Sequence, residues 1–137
     1  MKETALQQRL SGALKNYKNS FFLFEFLGLK ISYQNDKCIC LFPVDDFLFS
    51  PFGGFHAGLI TTVIDITMAH LSKKMTGSAG ATIELQTKYF HKLNRGPGRC
   101  EAQFLNQDNS IGRLDAKVWD ADAFLIAEGT ATWRLPD

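Results

Sequence analysis

Residues 50–65 read SPFGGFHAGLITTVID, and they carry the most informative pattern in the chain. A glycine-rich turn with one histidine, His56, runs straight into an apolar helix whose single carboxylate, Asp65, follows nine positions later. Burying a carboxylate among aliphatic side chains is costly unless it is paired, hydrogen-bonded or hydrated in a site. A glycine turn at a helix start presents free backbone N–H groups to an incoming carbonyl oxygen. The stretch therefore predicts an electrophile-polarising turn with an acid–base residue nearby.

The central helix is predicted from about residue 55 to residue 75. Its apolar residues form a wide stripe, and most of the other faces are apolar or small, so the helix is expected to be buried nearly all round. Thr61, Thr62 and Asp65 lie within one turn and form its main polar patch. The Thr76-Gly77-Ser78 segment is expected to end it.

The chain before this helix predicts a helical N-terminal segment and a hairpin. Within segment 1–19, residues 2–17 carry apolar side chains at helical spacing. A short aromatic segment over residues 21–27 ends at Gly28. Strands over residues 29–33 and 38–42 flank a hairpin loop.

The chain after the helix predicts four strands, over residues 81–90, 99–107, 111–119 and 124–134, joined as an antiparallel meander. In the first of them Thr82 alternates onto the polar face with Glu84, Gln86 and Lys88, opposite Ile83, Leu85 and Tyr89. These elements predict a single α+β domain over residues 1–137. Its antiparallel sheet of about six strands wraps the long helix.

The composition of the chain argues against nucleic-acid binding, a metal site, secretion and membrane insertion. A net charge of +1 with mixed signs gives no broad basic surface for nucleic acid. The three cysteines, Cys38, Cys40 and Cys100, lack the two-residue gap usual for zinc or redox pairs, so reduced cytoplasmic thiols and no metal are expected. No signal peptide and no apolar run of membrane-spanning length is visible.

Three short motifs, in order and at matching spacing, resemble the hotdog-fold acyl-CoA thioesterases of the phenylacetate-pathway type, in the 4-hydroxybenzoyl-CoA thioesterase superfamily. The first is Ser50-Pro51, Gly53, His56-Ala57-Gly58 and Asp65, the second is residues 82–90 with Gly96 after it, and the third is residues 125–131. The resemblance covers roughly residues 20–134. It departs from the family pattern at Ser50, where Asn is frequent, and at Ala57, which replaces the first glycine of His-Gly-Gly.

The resemblance implies roles for the residues of the turn and helix. Asp65 is expected to be a general base that activates water, or a nucleophile that forms a mixed anhydride. Gly58, with Ala57, is expected to supply the N–H that polarises the thioester oxygen. His56 either orients the thioester or bonds the loop. Ser50 either bonds the attacking water or is an ordinary turn serine.

Further residues are expected to bind substrate or complete the site. Thr82 is expected to reach Asp65 of a neighbouring chain, unless it is an ordinary strand threonine. Thr61 is counted among the substrate-binding residues. Lys88, Lys92 and Arg95 either pair with the phosphates of coenzyme A or form a solvated strand end. The phenylalanines near residues 21–26 line an acyl tunnel or belong to the core.

The expected reaction is hydrolysis of an acyl-CoA thioester to free acid and coenzyme A, with no cofactor beyond the coenzyme A of the substrate. Two alternatives stay open: a protein of the same fold that binds an acyl group without cleaving it, which Ser50 and Ala57 favour, and a hydratase or dehydratase. Open sheet edges invite pairing, so a homodimer or a dimer of dimers with sites at the subunit boundary is expected.

Overall fold

The computed structural model describes residues 3–136. Positions 1, 2 and 137, which the predicted domain and its N-terminal segment include, lie outside the described residues. In chain order the elements are α1 (Ala5–Leu14), α2 (Phe22–Leu27), β1 (Lys30–Gln34), β2 (Lys37–Phe42), α3 (Ala57–Thr76), β3 (Ala81–Tyr89), β4 (Gly98–Asp108), β5 (Ile111–Trp119) and β6 (Leu125–Arg134). A short 3-10 turn, Asp46–Leu48, precedes α3.

All six strands form one antiparallel sheet in the order β1-β2-β4-β5-β6-β3, with α3 packed across one face. The predicted six-strand sheet on a long helix is therefore confirmed. The predicted four-strand meander is wrong, because β3 pairs with β6 and β4 pairs with β2. Residues 90–97 form a connection longer than a hairpin turn. This connection carries the chain from β3, at one edge of the sheet, across β6 and β5 to β4. As a result β3 is an edge strand.

The core lies between α3 and the inner face of the sheet. Val63, Ile64 and Met68 of α3 are fully buried, as are the inward-facing residues of β5. Gly129 of β6 lets the helix approach closely, because a Cβ atom there would lie 3.0 Å from Ile64 Cγ2. Burying each such aliphatic side chain contributes about 1.5–3 kcal/mol, so the apolar sequence of α3 is explained by its position.

Strand β3 contains a bulge at Ile83. Thr82 pairs with Trp133 and Glu84 with Thr132, which leaves Ile83 as an extra residue without a partner. A bulge of this kind re-aims the side chains on one side of it. Thr82 consequently faces α3, on the same side as Leu85, and the predicted alternation that placed it with Glu84 is wrong at this position.

Helix α1 is shorter than the predicted 2–17. Thr4 and Gln7 form a capping box that starts it, and turns replace helix after Leu14. Its predicted apolar stripe stays largely in solvent, with Leu6, Leu10 and Leu14 between 41% and 50% exposed. None of the helices in residues 3–136 has the length and apolar character of a membrane span.

The three cysteines are free and buried. Cys40 lies directly opposite Cys100 in the pairing of β2 with β4. Burial raises the pKa of the Cys38 thiol to about 12 and that of Cys40 to about 11. The same desolvation raises the pKa of Cys100 further, so all three are unreactive core side chains near neutral pH.

Candidate functional site

The start of α3 carries one open backbone donor. His56 is the N-cap, and its Nδ1 accepts a hydrogen bond from the Gly58 N–H over 3.0 Å. The next two amides, of Leu59 and Ile60, donate to the His56 carbonyl. Within residues 3–136 the Ala57 N–H has no acceptor. Gly58 was expected to polarise a carbonyl, but its N–H is already used, so the donor available to a ligand is that of Ala57.

The turn before α3 follows from two glycines in left-handed conformation, Gly53 (φ +94°) and Gly54 (φ +79°). The Ser50 N–H donates to the Gly54 carbonyl over 2.9 Å. The Ser50 hydroxyl in turn accepts from the Phe52 N–H over 3.1 Å. The structure thus places Ser50 in a local turn, as the ordinary alternative for this residue predicts.

An open cleft of about 330 Å³ lies beside the Ala57 N–H, and we call it the amide cleft. Its lining includes Ser50, Ala57, Ile60, Tyr89 and Lys92. Lys92 spans the turn and donates from Nζ to the Phe52 carbonyl over 2.5 Å. The structure therefore brings three of the predicted site residues, Ser50, Ala57 and Lys92, to one place.

Asp65 lies two helical turns further along α3, where it is half-buried. The Thr82 hydroxyl donates to Asp65 Oδ1 over 2.6 Å. No cation of the described chain forms a salt bridge with this carboxylate. The prediction that Thr82 reaches Asp65 of a neighbouring chain is corrected, since the bulge at Ile83 turns Thr82 towards the helix of its own chain.

Three hydroxyl groups connect the region between Ala57 and Asp65. The Thr61 hydroxyl, one turn from each, donates to Thr87 Oγ1 over 3.1 Å and is also hydrogen-bonded to the Tyr89 hydroxyl. Thr61 was among the predicted substrate-binding residues, whereas Thr87 and Tyr89 were not predicted as members of the site. The strand alternation that places Thr87 and Tyr89 on one face was the signal available for them.

A second cleft, of about 280 Å³, opens beside Asp65, and we call it the carboxylate cleft. Its lining is Phe21, Asp65, Ile66, Ala69, His70, Lys73 and Ala79. His70 Nδ1 lies 2.9 Å from the Ile66 carbonyl, which can only accept, so this nitrogen carries the proton. The predicted aromatic lining of an acyl tunnel is represented here by Phe21 alone.

The two clefts are separate within one chain. Ala57 and Asp65 are eight residues apart on α3, which is about 12 Å along the helix axis. A thioester carbonyl is far smaller than this separation. Within one chain the Ala57 amide and the Asp65 carboxylate therefore lie too far apart to contact the same carbonyl group.

The predicted basic cluster is dispersed. Arg95 is 73% exposed and forms a salt bridge with Asp122 over 3.2 Å. Lys88 points to the face of β3 opposite Thr87 and Tyr89, because successive strand side chains alternate. Only Lys92 stays beside the amide cleft. In residues 3–136 no group of three His, Cys, Asp or Glu side chains is placed to hold a metal ion.

Comparison with known proteins supplies the family. A family model described as the thioesterase superfamily matches residues 52–126. The Saccharolobus solfataricus protein SSO2140, named as an inferred esterase, is 24% identical over 121 residues, which are 87% of this chain and 86% of that protein.

Solved structures agree in fold. The BH2602 protein from Bacillus halodurans, solved with CoA, gives a TM-score of 0.82 at 17% identity and covers 99% of this chain and 97% of that chain. A phenylacetic acid degradation-related protein from Ralstonia eutropha JMP134 gives a TM-score of 0.77 at 18% identity, covering 93% and 99%. The resemblance drawn from the sequence motifs is confirmed for superfamily and hotdog fold.

Proposed function

This chain belongs to the thioesterase superfamily, and on that premise we propose that it hydrolyses an acyl-CoA thioester to the free acid and coenzyme A. The proposal rests on the surroundings of the Asp65 carboxylate. Asp65 is a half-buried carboxylate on an apolar helix that accepts one hydroxyl hydrogen bond, lines a cleft and has no salt-bridge partner in the described chain. An ionised carboxylate offers about four lone-pair positions, so a single hydroxyl hydrogen bond leaves most of them available to water or substrate in the cleft.

The Ala57 N–H is the proposed donor to the thioester oxygen. It lies at the positive end of the α3 dipole, and no group of the described chain occupies it. Negative charge develops on the carbonyl oxygen during attack, so a fixed N–H stabilises the transition state more than the ground state. The role expected of Gly58 passes to Ala57, while His56 and Gly58 hold the helix start in shape.

Asp65 has two proposed routes, which give the same products. As a base it removes a proton from water, the oxygen bonds to the carbonyl carbon, the C–S bond breaks, and the proton passes to the departing sulfur. As a nucleophile it bonds to that carbon and expels the thiolate, and water then hydrolyses the anhydride. In either route Thr82 orients the carboxylate through its hydrogen bond.

A second copy of the chain is the proposed means of joining two half-sites, the Ala57 amide and the Asp65 carboxylate. Edge strand β3 has an unpaired side on which a second sheet can add. The separation of about 12 Å between Ala57 and Asp65 supports a site that takes the amide from one chain and the carboxylate from the other. A homodimer or a dimer of dimers with two shared sites per dimer is therefore part of the proposal.

Coenzyme A is the proposed thiol carrier because BH2602, which shares the fold, was solved with CoA. Lys92 beside the amide cleft is the candidate for its phosphates, with Arg95 and Lys88 further away. The buried reduced thiols fit a cytoplasmic setting.

One observation favours the second candidate, an acyl-binding protein that does not cleave. The Ser50 hydroxyl is used in its turn and so is poorly placed to hold an attacking water. Purified protein, incubated with a panel of acyl-CoAs and a thiol reagent, separates the two functions. Thiol release that Asp65→Asn abolishes supports hydrolysis, whereas saturable binding without thiol release establishes the binding protein.

A further inference from the structure

We infer that the carboxylate cleft selects acyl groups whose far end carries a carboxylate, which Lys73 binds. The inference rests on the proposed function, because it assigns the acyl side of the same site. It concerns a chemical class of substrate: ω-carboxyacyl thioesters with an apolar spacer between the thioester and the terminal acid.

The helix sets the direction of the cleft. Asp65, Ala69 and Lys73 follow one another at intervals of four residues, so they form one stripe along α3. Asp65 to Lys73 is eight residues, or about 12 Å along the axis. All three line the same cleft. An acyl group whose carbonyl sits at Asp65 therefore extends away from the helix N-terminus, towards Lys73.

The middle of the cleft fits an apolar spacer. Between the two charged residues its lining is supplied by Ile66 and Ala69 of α3, by Phe21 before α2 and by Ala79 before β3. Phe21 is 54% exposed, so an acyl chain that covers it gains apolar contact. The cleft holds about 280 Å³, which suits a spacer of several methylene groups or one ring.

Charge sets which end of the substrate lies where. The Asp65 carboxylate repels an acidic group, and the Lys73 ammonium at the opposite end attracts one. Lys73 forms no salt bridge with any described residue. Its neighbour Lys74 is engaged elsewhere, with Nζ 5.3 Å from the centre of the Tyr33 ring. The remaining polar group of the lining, His70, already donates through Nδ1 to Ile66.

The test compares two substrates of equal length, an ω-carboxyacyl-CoA and the methyl-terminated acyl-CoA, through the ratio of their kcat/KM values. We expect wild type to favour the carboxylate. Lys73→Met should lower the ratio about twofold to fivefold, the effect of losing one solvent-exposed ion pair, and Lys73→Glu should lower it further. Lys74→Met is the matched control and should keep the wild-type ratio. Added salt should weaken the preference.

Two results would overturn the inference. The first is a wild-type preference for the methyl-terminated substrate. The second is a Lys73→Met variant that raises KM equally for both substrates, because Lys73 would then contact coenzyme A and not the acyl group. The dissociation constants of the non-hydrolysable thioether analogues of both substrates give a second preference ratio, which does not depend on catalysis. A wild type that releases no thiol from any acyl-CoA refutes the proposed hydrolysis, and the thioether ratio still decides the role of Lys73.

Discussion

Thr82 and Asp65 face each other within a single chain, hydroxyl to carboxylate, 2.6 Å apart. Strand β3 thus carries the group that orients the helix carboxylate, and the two residues belong to the same half-site. In the proposed dimer the second copy would contribute the open Ala57 amide.

Replacing Asp65 by Asn should reduce thiol release by about 100-fold or more, because the amide neither takes a proton from water nor attacks a carbonyl. The side-chain shape is kept, so circular dichroism should show an unchanged fold. The exposed Asp36→Asn variant controls for loss of one surface charge. Wild-type turnover in Asp65→Asn would exclude Asp65 from the chemistry.

Replacing Ala57 by Pro should lower turnover about 100-fold while the helix start survives. Proline removes the N–H and puts a ring carbon in its place, which also blocks the approach of a carbonyl oxygen, and the first helical position tolerates it. His56, with ψ 128°, already lies outside the helical region that a following proline disfavours. Ala57→Gly keeps the N–H and is the matched control. Equal activity in both variants would show that the carbonyl is polarised by another group.

Mixed oligomers should distinguish a shared site from a site within one chain. Asp65→Asn chains combined with Ala57→Pro chains should regain activity, because each mixed dimer has one site with both groups intact. Asp65→Asn combined with Thr82→Val should regain none, because both changes damage the same half-site. Light scattering establishes that dimers form, and native mass spectrometry with one variant isotopically labelled establishes that they are mixed. A fully active monomer at nanomolar concentration would contradict the shared site.

Ser50→Ala should change turnover by less than about threefold, because a hydroxyl bonded within its turn makes no interaction that is gained only in the transition state. It removes the acceptor of the Phe52 N–H and so should lower the thermal midpoint slightly. A loss comparable to that of Asp65→Asn would instead place the Ser50 hydroxyl on the attacking water.

Stability should fall as pH rises above about 9. The ordinary thiol pKa is 9.0, and burial raises it to about 12 for Cys38 and about 11 for Cys40. Between these values the unfolded chain releases protons that the folded chain keeps, so alkali favours unfolding. Urea unfolding at pH 8 and pH 10.5 should show a loss that Cys38→Ala reduces. A native protein that a thiol reagent labels rapidly at pH 7.5 would contradict the burial.

The sequence was informative where one long periodic segment dominates. Helix α3, its ends and the unusual position of Asp65 all follow from apolar spacing and glycine placement. The partner of β3 could not be predicted in this way, because antiparallel pairing depends on where the connection over residues 90–97 carries the chain. Likewise, the choice between the Gly58 and Ala57 amides depends on the His56 rotamer, which no residue pattern records.

The bulge at Ile83 makes β3 tolerant of a change in length at one position. Because Thr82 and Glu84 already occupy consecutive positions in the pairing with β6, a chain lacking Ile83 would keep Thr82 opposite Trp133 and facing Asp65. A deletion anywhere between residues 84 and 89 would instead move the side chains on one side of the deletion to the opposite face of the sheet. Alignment of β3 with a strand that lacks the bulge therefore needs a gap at Ile83 to keep Thr82 at the position opposite Trp133, and an ungapped alignment shifts Thr82 by one position.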